Sequence, residues 1–379
     1  MVETSSRTVL LTGSTGFLGG ELLGRLVREP GTTVCCLIRA EGPAELERRR
    51  GQLLEWARIP ETEAQRVVAV PGDVEASDLG LDAAYGSLAD RVDEIFHAAA
   101  STRFDLPLER ARRTNLEGTK SVLRFAREAQ CRGGLSRLHH VSTSFVSGDR
   151  YGVLREEDAK GASRFRNSYE QSKWEAEQSL EEAQAELPIT IYRPSIIVGD
   201  ARTGRTLHFL GFYQPLQWVY TGKLPVVPCR PEVRVDVVPV DFVADAILAI
   251  GRNPASVGQA YHLTAGPEKS ISIEEVAEIA VAATNAFHEE TGQPPIEAPR
   301  IVTPEEIDGL PGGEQEGIRT LSRLASEYMR SHMPYMLREV LFDSTRSAAL
   351  LEAEGIRCPS LADYLPVLIR YGLIHNPNL

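Results

Sequence analysis

None of the five cysteines stands in a CxxC pair, and no HExxH or comparable cluster relates the eight histidines. Structural zinc sites and dithiol redox centres are built from such closely spaced ligands, so no protein-bound metal is expected. The cysteines (Cys35, Cys36, Cys131, Cys229, Cys358) read as reduced thiols, and adjacent Cys35 and Cys36 would point to opposite faces of a strand. The opening residues, MVETSSRTVLLTG, lack a basic leader, an apolar stretch and a cleavage site, which predicts a cytoplasmic protein. Long hydrophobic runs are missing too. The most apolar stretch, LHFLGFYQPLQWVY at 207–220, is too short and too polar to cross a bilayer, so no integral membrane segment is expected. Positive charge is the scarcer sign: 41 Lys and Arg against 53 Asp and Glu leave a net charge of −12. That balance argues against nucleic acid and anionic membrane as partners. No internal repeat and no DNA-binding signature is present.

What is there is an alternation. The segments 7–13, 32–39, 66–73, 93–100, 137–144 and 189–195 are short β-branched or apolar runs, and most are separated by stretches with helical periodicity such as 20–28 and 115–130. Several runs are apolar almost throughout, as strands covered on both faces must be. The fold class is therefore α/β, a doubly wound parallel (Rossmann) sheet with a smaller, mainly helical C-terminal substrate lobe. Residues 1–200 are expected to form the dinucleotide-binding domain, completed by 235–265, where a strand and then a helix capped by Asp241 precede another strand at 258–265. Residues 201–234 and 266–379 would form the lobe, with 290–317 an exposed Pro-, Gly- and Glu-rich excursion carrying one short helix at Thr303-Pro304-Glu305-Glu306.

Directly after the first strand, TGSTGFLGG offers Gly13, Gly16 and Gly19 at the mouth of a helix, with Thr15, Phe17 and Leu18 between them. Glycines here let backbone N–H groups approach a pyrophosphate at a helix N-terminus. The spacing is GxxGxxG rather than GxGxxG. Twenty residues past Gly19, where an NAD-binding chain would present an acid to the ribose, stands Arg39. An arginine suits a 2′-phosphate, which predicts NADPH as cofactor. Asp73 and Val74, after the third strand, are positioned to meet adenine, and Ala98 and Ala99, after the fourth, to pass beneath the cofactor.

NSYEQSKWEAEQ, at 167–178, puts Tyr169 four residues ahead of Lys173, one above the other on a helix. Ser168 and Gln171 suggest a capping box that starts the helix just before Tyr169. A free phenol, with a pKa near 10, is a poor acid at neutrality, and a neighbouring ammonium lowers that value. Lysine would thus make the tyrosine a usable proton donor. Thr143, 26 residues upstream at the end of the fifth strand, could donate to the same substrate oxygen.

Gly13-x-x-Gly16-x-x-Gly19, Thr143 and Tyr169-x-x-x-Lys173, in this order and spacing, resemble the extended short-chain dehydrogenase/reductases over roughly the first 265 residues. LTGSTGFLGG, CLIRA, GDVEASDLGL, FHAAASTRFDLPLERARRTNLEGT, YRPSIIVGDARTG and RVDVVPVDFVADAI are similar to the thioester reductase branch. That branch includes terminal reductase domains of nonribosomal peptide synthetases and carboxylic acid reductases, and the fatty acyl-CoA reductases. The resemblance implies Thr143, Tyr169 and Lys173 as catalytic residues, with Tyr169 and Lys173 also meeting the cofactor. It further implies Asn115 as a support for the lysine through water, and Arg193, Pro194, Ser195 and Ile196 beside the nicotinamide. The implied reaction is NADPH-dependent reduction of an acyl-CoA or acyl-carrier-protein thioester, held on phosphopantetheine, to an aldehyde or onward to an alcohol. With no adenylation or carrier segment upstream, the enzyme is expected to act alone. Phe209, Phe212, Tyr213 and Trp218 would receive the acyl chain, and Arg110, Arg112, Arg113, Arg164 and Arg166 are the basic clusters nearest the catalytic segments for an acidic carrier.

Two other readings stay open on the residues alone. An extended reductase or epimerase acting on a sugar nucleotide or a steroid-like alcohol would use the same triad, but would favour a more polar lobe than 207–220. A non-catalytic NADP-binding sensor would share the fold without needing the Tyr-Lys pair.

Overall fold

The computed structural model describes residues 6–220, 226–309, 311–312 and 334–376. Its main sheet has seven strands: β1 (Arg7–Thr12), β2 (Thr32–Ile38), β3 (Val67–Pro71), β4 (Glu94–His97), β5 (Arg137–Val141), β6 (Ile189–Pro194) and β7 (Gln259–Leu263). They lie in the order β7-β6-β5-β4-β1-β2-β3, and the pairings β1·β2, β2·β3, β1·β4, β4·β5 and β5·β6 are all parallel. The chain turns back between β1 and β4, and a Rossmann sheet binds its ligand in the crevice beyond the strand ends at that point. Every residue of β6 is buried, as are the last four of β1, which explains why these strands read as largely apolar runs rather than alternating ones. The flanking helices that position the site are α1 (Phe17–Leu26), α2 (Pro43–Trp56), α3 (Gly118–Arg132), α4 (Ser168–Ala183) and α5 (Val240–Arg252). Leu10, Val70, Ile95, Phe125, Leu138, Leu180 and Ile191 are among the side chains that make one core under the sheet.

The chain divides into two compact units, Met1–Gly148 with Ala159–Pro194 and Val243–Tyr261, and Asp149–Asp158 with Ser195–Phe242 and His262–Leu379. Of the 235–265 segment, the first unit thus takes only Val243–Tyr261. The second unit has its own core, in which Tyr213, Leu216 and Tyr220 of the helix Tyr213–Tyr220 meet Tyr364, Leu365 and Leu368 of the helix Leu361–His375. Phe209 stands edge-on to Tyr213 at 5.5 Å and stacks on Tyr371 at 6.2 Å. Phe209 and Phe212 are partly buried against this core and Tyr213 is buried in it, and the Trp218 side chain lies outside the described residues. Beside its helices the unit holds, among the described residues, four two-stranded sheets, such as Ile196–Val198 with Val237–Pro239 and Gly152–Leu154 with Val340–Phe342. These strands are two or three residues long, too short to display an alternation that sequence reading could detect.

Two helix starts differ from expectation. Helix α4 is capped by Asn167, whose side chain accepts from Glu170 N at 3.0 Å, and not by Ser168, whose hydroxyl donates to Leu106 O. Asparagine is as good a cap as serine, and it stands one residue earlier. Helix α5 begins at Val240, so Asp241 lies in its first turn, accepting from Ala201 N at 3.0 Å. The short helix at Thr303 is present as a 3₁₀ turn, Pro304–Gly309; residues 310 and 313–317 of the excursion lie outside the described residues.

Candidate active site

The loop between β1 and α1 is shaped for close approach. Gly13 adopts φ +74°, and a Cβ there would come within 2.5 Å of the backbone of Ala98 and Ala99. A Cβ on Gly19 would collide with the Gly13 carbonyl oxygen. Gly16 caps α1 without any side-chain hydrogen bond, so the N–H groups of the first turn face outward at the positive end of the helix. A cavity of about 440 Å³ opens here, lined by Gly13, Thr15, Gly16, Arg39, Asp73, Val74, Ala98 and Ala99 among others. An uncapped helix mouth above glycines whose side chains would fill the approach fits a dinucleotide pyrophosphate. Arg39 is exposed just past β2, and Arg49 of α2 lines the same cavity, a second cation that the sequence reading did not single out. Phe17 packs toward Trp56, and Leu18 is buried in α1.

Thr143, Tyr169 and Lys173 form a second cluster. Thr143 follows β5 in extended conformation, its hydroxyl accepting from Phe145 N at 3.3 Å. Tyr169 is half-buried and stacks on Phe104 at 5.5 Å. Burial pushes its phenol up to about 12, against the opposing pull of a hydrogen bond from Thr143, while the Glu170 carboxylate adds to the rise. Lys173 stands one turn further along the same helix. Lys173 is itself 1% exposed, and burial pushes its ammonium down to about 8, with Glu177 acting the other way. Its Nζ donates to Val141 O at 2.8 Å and meets His140 Nε2 at 3.3 Å.

Asn115 sits in a π-helical turn, Arg113–Glu117, of the kind that often marks functional sites. Its amide donates to Ser101 O at 3.0 Å and to Ser172 Oγ at 2.9 Å, and its oxygen accepts from Ser101 N at 2.8 Å. The asparagine clamps the loop after β4 onto α4, beside the lysine's turn, and its hydrogen bonds go to serines.

The Arg193 guanidinium is engaged inside the fold. It is 2% exposed, and its Nε and Nη2 lie 3.0 and 2.5 Å from the two carboxylate oxygens of Glu177. Pro194 ends the first unit; Ser195 and Ile196 belong to the second, where Ile196 pairs with Val237. The basic cluster is also largely spoken for. Arg110 pairs with Glu75 at 2.7 Å, Arg112 grips Glu175 through Nε and Nη2, and Arg166 is buried against Glu170 at 3.2 Å. Among the described residues no three His, Cys, Asp or Glu side chains are grouped as metal ligands, and no helix is long and apolar enough to cross a membrane.

Comparison with known proteins supplies what the geometry alone does not. The family model described as "Male sterility protein" matches residues 11–247. A linear gramicidin synthase chain of Brevibacillus parabrevis is 33% identical over 267 residues, 68% of this chain and 5% of that protein. The non-canonical nonribosomal peptide synthetase FrzA of Cladobotryum sp is 33% identical over 290 residues, 72% of this chain and 27% of that one. Aldehyde reductase lnbA of Aspergillus flavus is 32% identical over 281 residues, 70% of this chain and again 27% of the relative's length. The chain therefore spans about a quarter or less of the length of these relatives. Among solved structures, the terminal R domain from the myxalamid PKS-NRPS biosynthetic pathway matches with a TM-score of 0.78 and 29% identity, covering 100% of this chain and 93% of that one. A thiolation-reductase di-domain from an archaeal nonribosomal peptide synthetase, at 21% identity and a TM-score of 0.73, shares the fold over 97% of this chain and 75% of that one.

Proposed function

Because the chain belongs to the male sterility protein family, within the thioester reductase-like branch of the extended short-chain dehydrogenase/reductases, and is an NAD(P)-dependent oxidoreductase, we propose that it reduces an acyl thioester to an aldehyde with NADPH. The thioester rides on a phosphopantetheine thiol, of a carrier protein or of coenzyme A. The observation that carries the reading is the buried Lys173 one turn past Tyr169 on α4, its Nζ held by Val141 O two residues before Thr143, so that one helix and one strand end bring the three residues of the triad together.

Bound NADPH would supply the hydride. The chain's residues act on the oxygen. Thr143 and Tyr169 donate hydrogen bonds to the carbonyl oxygen as negative charge develops there, an effect of about a hundred- to a thousandfold per donor in comparable holes. Tyr169 then gives its proton to that oxygen, and the Lys173 ammonium below stabilises the phenolate left behind. The thiohemiacetal so formed loses thiol and releases aldehyde. A free carboxylate would resist this chemistry, since its charge repels hydride and oxide is a poor leaving group. The relatives fit an activated substrate: several are peptide synthetases, and one structural neighbour carries a thiolation domain fused to its reductase.

The test offers one acyl group as carrier-bound thioester, coenzyme A ester and free acid, following NADPH loss and the aldehyde or alcohol by mass spectrometry. Turnover of a thioester and not of the acid is expected. Turnover of neither thioester, with brisk reduction of a ketone or a sugar nucleotide, would replace this reading by the alcohol dehydrogenase or epimerase one.

Two further outcomes follow from the site. Arg39, with Arg49 on the same cavity wall, reads the 2′-phosphate, so Arg39→Ala should weaken NADPH by roughly ten- to a hundredfold, about 1.5 to 3 kcal/mol, while leaving NADH nearly unchanged. Titration of the purified protein with both cofactors checks this, and equal losses would remove Arg39 from that role. Lys173 must be charged to stabilise the phenolate, and its ammonium is pushed down to about 8. The kcat should therefore hold below that pH and fall as pH rises through it; a rate level well beyond it would mean that the charge is not used.

A further inference from the structure

Lys173 has a partner that the catalytic reading does not account for. Of the three N–H donors on its ammonium, one goes to Val141 O at 2.8 Å and one meets His140 Nε2 at 3.3 Å. Both acceptors come from β5, the strand that also delivers Thr143. His140 is 0% exposed, and its Nδ1 has no hydrogen-bond partner among the described residues. Next to it, 5.1 Å between ring centroids, lies His97 of β4, pinned by Thr12 Oγ1 at 2.7 Å and Thr119 Oγ1 at 3.1 Å.

A ring in this setting has little choice of state. Burial first, then the charge of Lys173 and the neighbouring His97, push His140 well below the usual imidazole range, and burial with Lys173 pushes His97 down to about 3. Both rings are therefore neutral at working pH. A neutral ring carries one N–H, and a nitrogen that faces an ammonium must present its lone pair. The His140 proton accordingly sits on Nδ1.

We propose that His140 is a positioning residue: as the neutral Nδ1–H tautomer it accepts from Lys173 through Nε2 and, with Val141 O, fixes the ammonium so that its third donor faces the reacting groups. The proposal rests on the reading of Tyr169 and Lys173 as catalytic and adds what holds the lysine in place. Asn115, expected to support it through water, makes its direct hydrogen bonds to Ser101 and to Ser172, the neighbour of Lys173. The titratable and charged groups around the pair are His97 on β4, Tyr169 and Glu177 on α4, and Arg193 on β6, the last two joined to each other. Only Glu177 among them favours the ammonium, so losing the His140 acceptor should make Lys173 give up its proton more easily.

The experiment compares His140→Phe, which removes the acceptor, with His140→Gln, whose amide oxygen can replace Nε2 but cannot titrate. His140→Phe should lower kcat about tenfold and move the alkaline limb of its pH profile about one unit toward acid, with the KM for NADPH changed far less. His140→Gln should recover most of the rate and return the limb. A second readout needs neither cofactor nor substrate: ¹⁵N spectra of histidine-labelled protein should show His140 as a neutral Nδ1–H ring that does not titrate near neutrality. An Nε2–H ring, an imidazolium near pH 7, or a His140→Phe protein whose limb stays put and whose rate His140→Gln fails to restore would each overturn the proposal. Should no thioester be turned over by the parent protein, the spectra still decide the tautomer, so the loss of the reaction assignment and the loss of this proposal are told apart.

Discussion

Tyr169→Phe is expected to lower kcat by about two to three orders of magnitude while binding NADPH almost as the parent does. The substitution removes one oxygen and leaves the ring, so the stacking on Phe104 survives. What is lost is the donor to the substrate oxygen and the proton that oxygen must receive. The phenol, pushed up to about 12 by burial, stays protonated throughout the working range. It is a weak acid there, yet the alkoxide that forms is a stronger base than phenolate, and the transfer runs downhill once charge has developed. Lys173→Ala should behave differently, losing turnover and cofactor affinity together, because in the resembling family this lysine also contacts the nicotinamide ribose. Titration with NADPH and single-turnover rates on both variants separate the two patterns. A Tyr169→Phe enzyme at parental speed would return the Tyr169–Lys173 pair to an ordinary helix face.

The sheet was legible because its central strands are buried on two sides, and burial writes itself as a largely apolar run: the buried last four residues of β1, Val-Leu-Leu-Thr, are an example. The glycine loop was legible for a related reason, since Gly13 at φ +74° and Gly19 against a carbonyl tolerate no other residue without strain. The Tyr169–Lys173 spacing was equally plain. What sequence could not give was the state of those groups. A phenol and an ammonium four residues apart suggest mutual electrostatic help; in the fold burial is the largest influence on each, and the lysine's hydrogen-bond partners include a carbonyl and an imidazole from β5. Partnerships formed across 33 residues, as between His140 and Lys173, leave no periodic trace. The partners of the arginines were hidden for the same reason. Arg110, Arg112 and Arg166 read as a positive cluster in the chain, and only the fold shows each one beside a carboxylate.

Glu177→Ala should be the most destabilising single change in this neighbourhood, costing about 3 to 5 kcal/mol, because it strands the Arg193 guanidinium's charge in the core. Both partners are at most 2% exposed, and the fork of Nε and Nη2 on the carboxylate is the geometry that makes such a pair tolerable when buried. Yet the pair as a whole need not be worth much, since taking two charges out of water offsets most of their attraction. Glu177→Leu combined with Arg193→Met should therefore fold with stability near that of the parent, as urea midpoints at constant slope would show. Equal destabilisation by the single and double changes would mean that the pair itself, and not the stranded charge, holds the fold. The double variant also isolates a second role for Glu177. Its carboxylate supports the ammonium of Lys173, so every variant lacking it should lose rate at a lower pH than the parent, whether stable or not. A protein with the parent's urea midpoint and the single variant's pH profile would separate what the ion pair does for the fold from what its negative half does for the lysine.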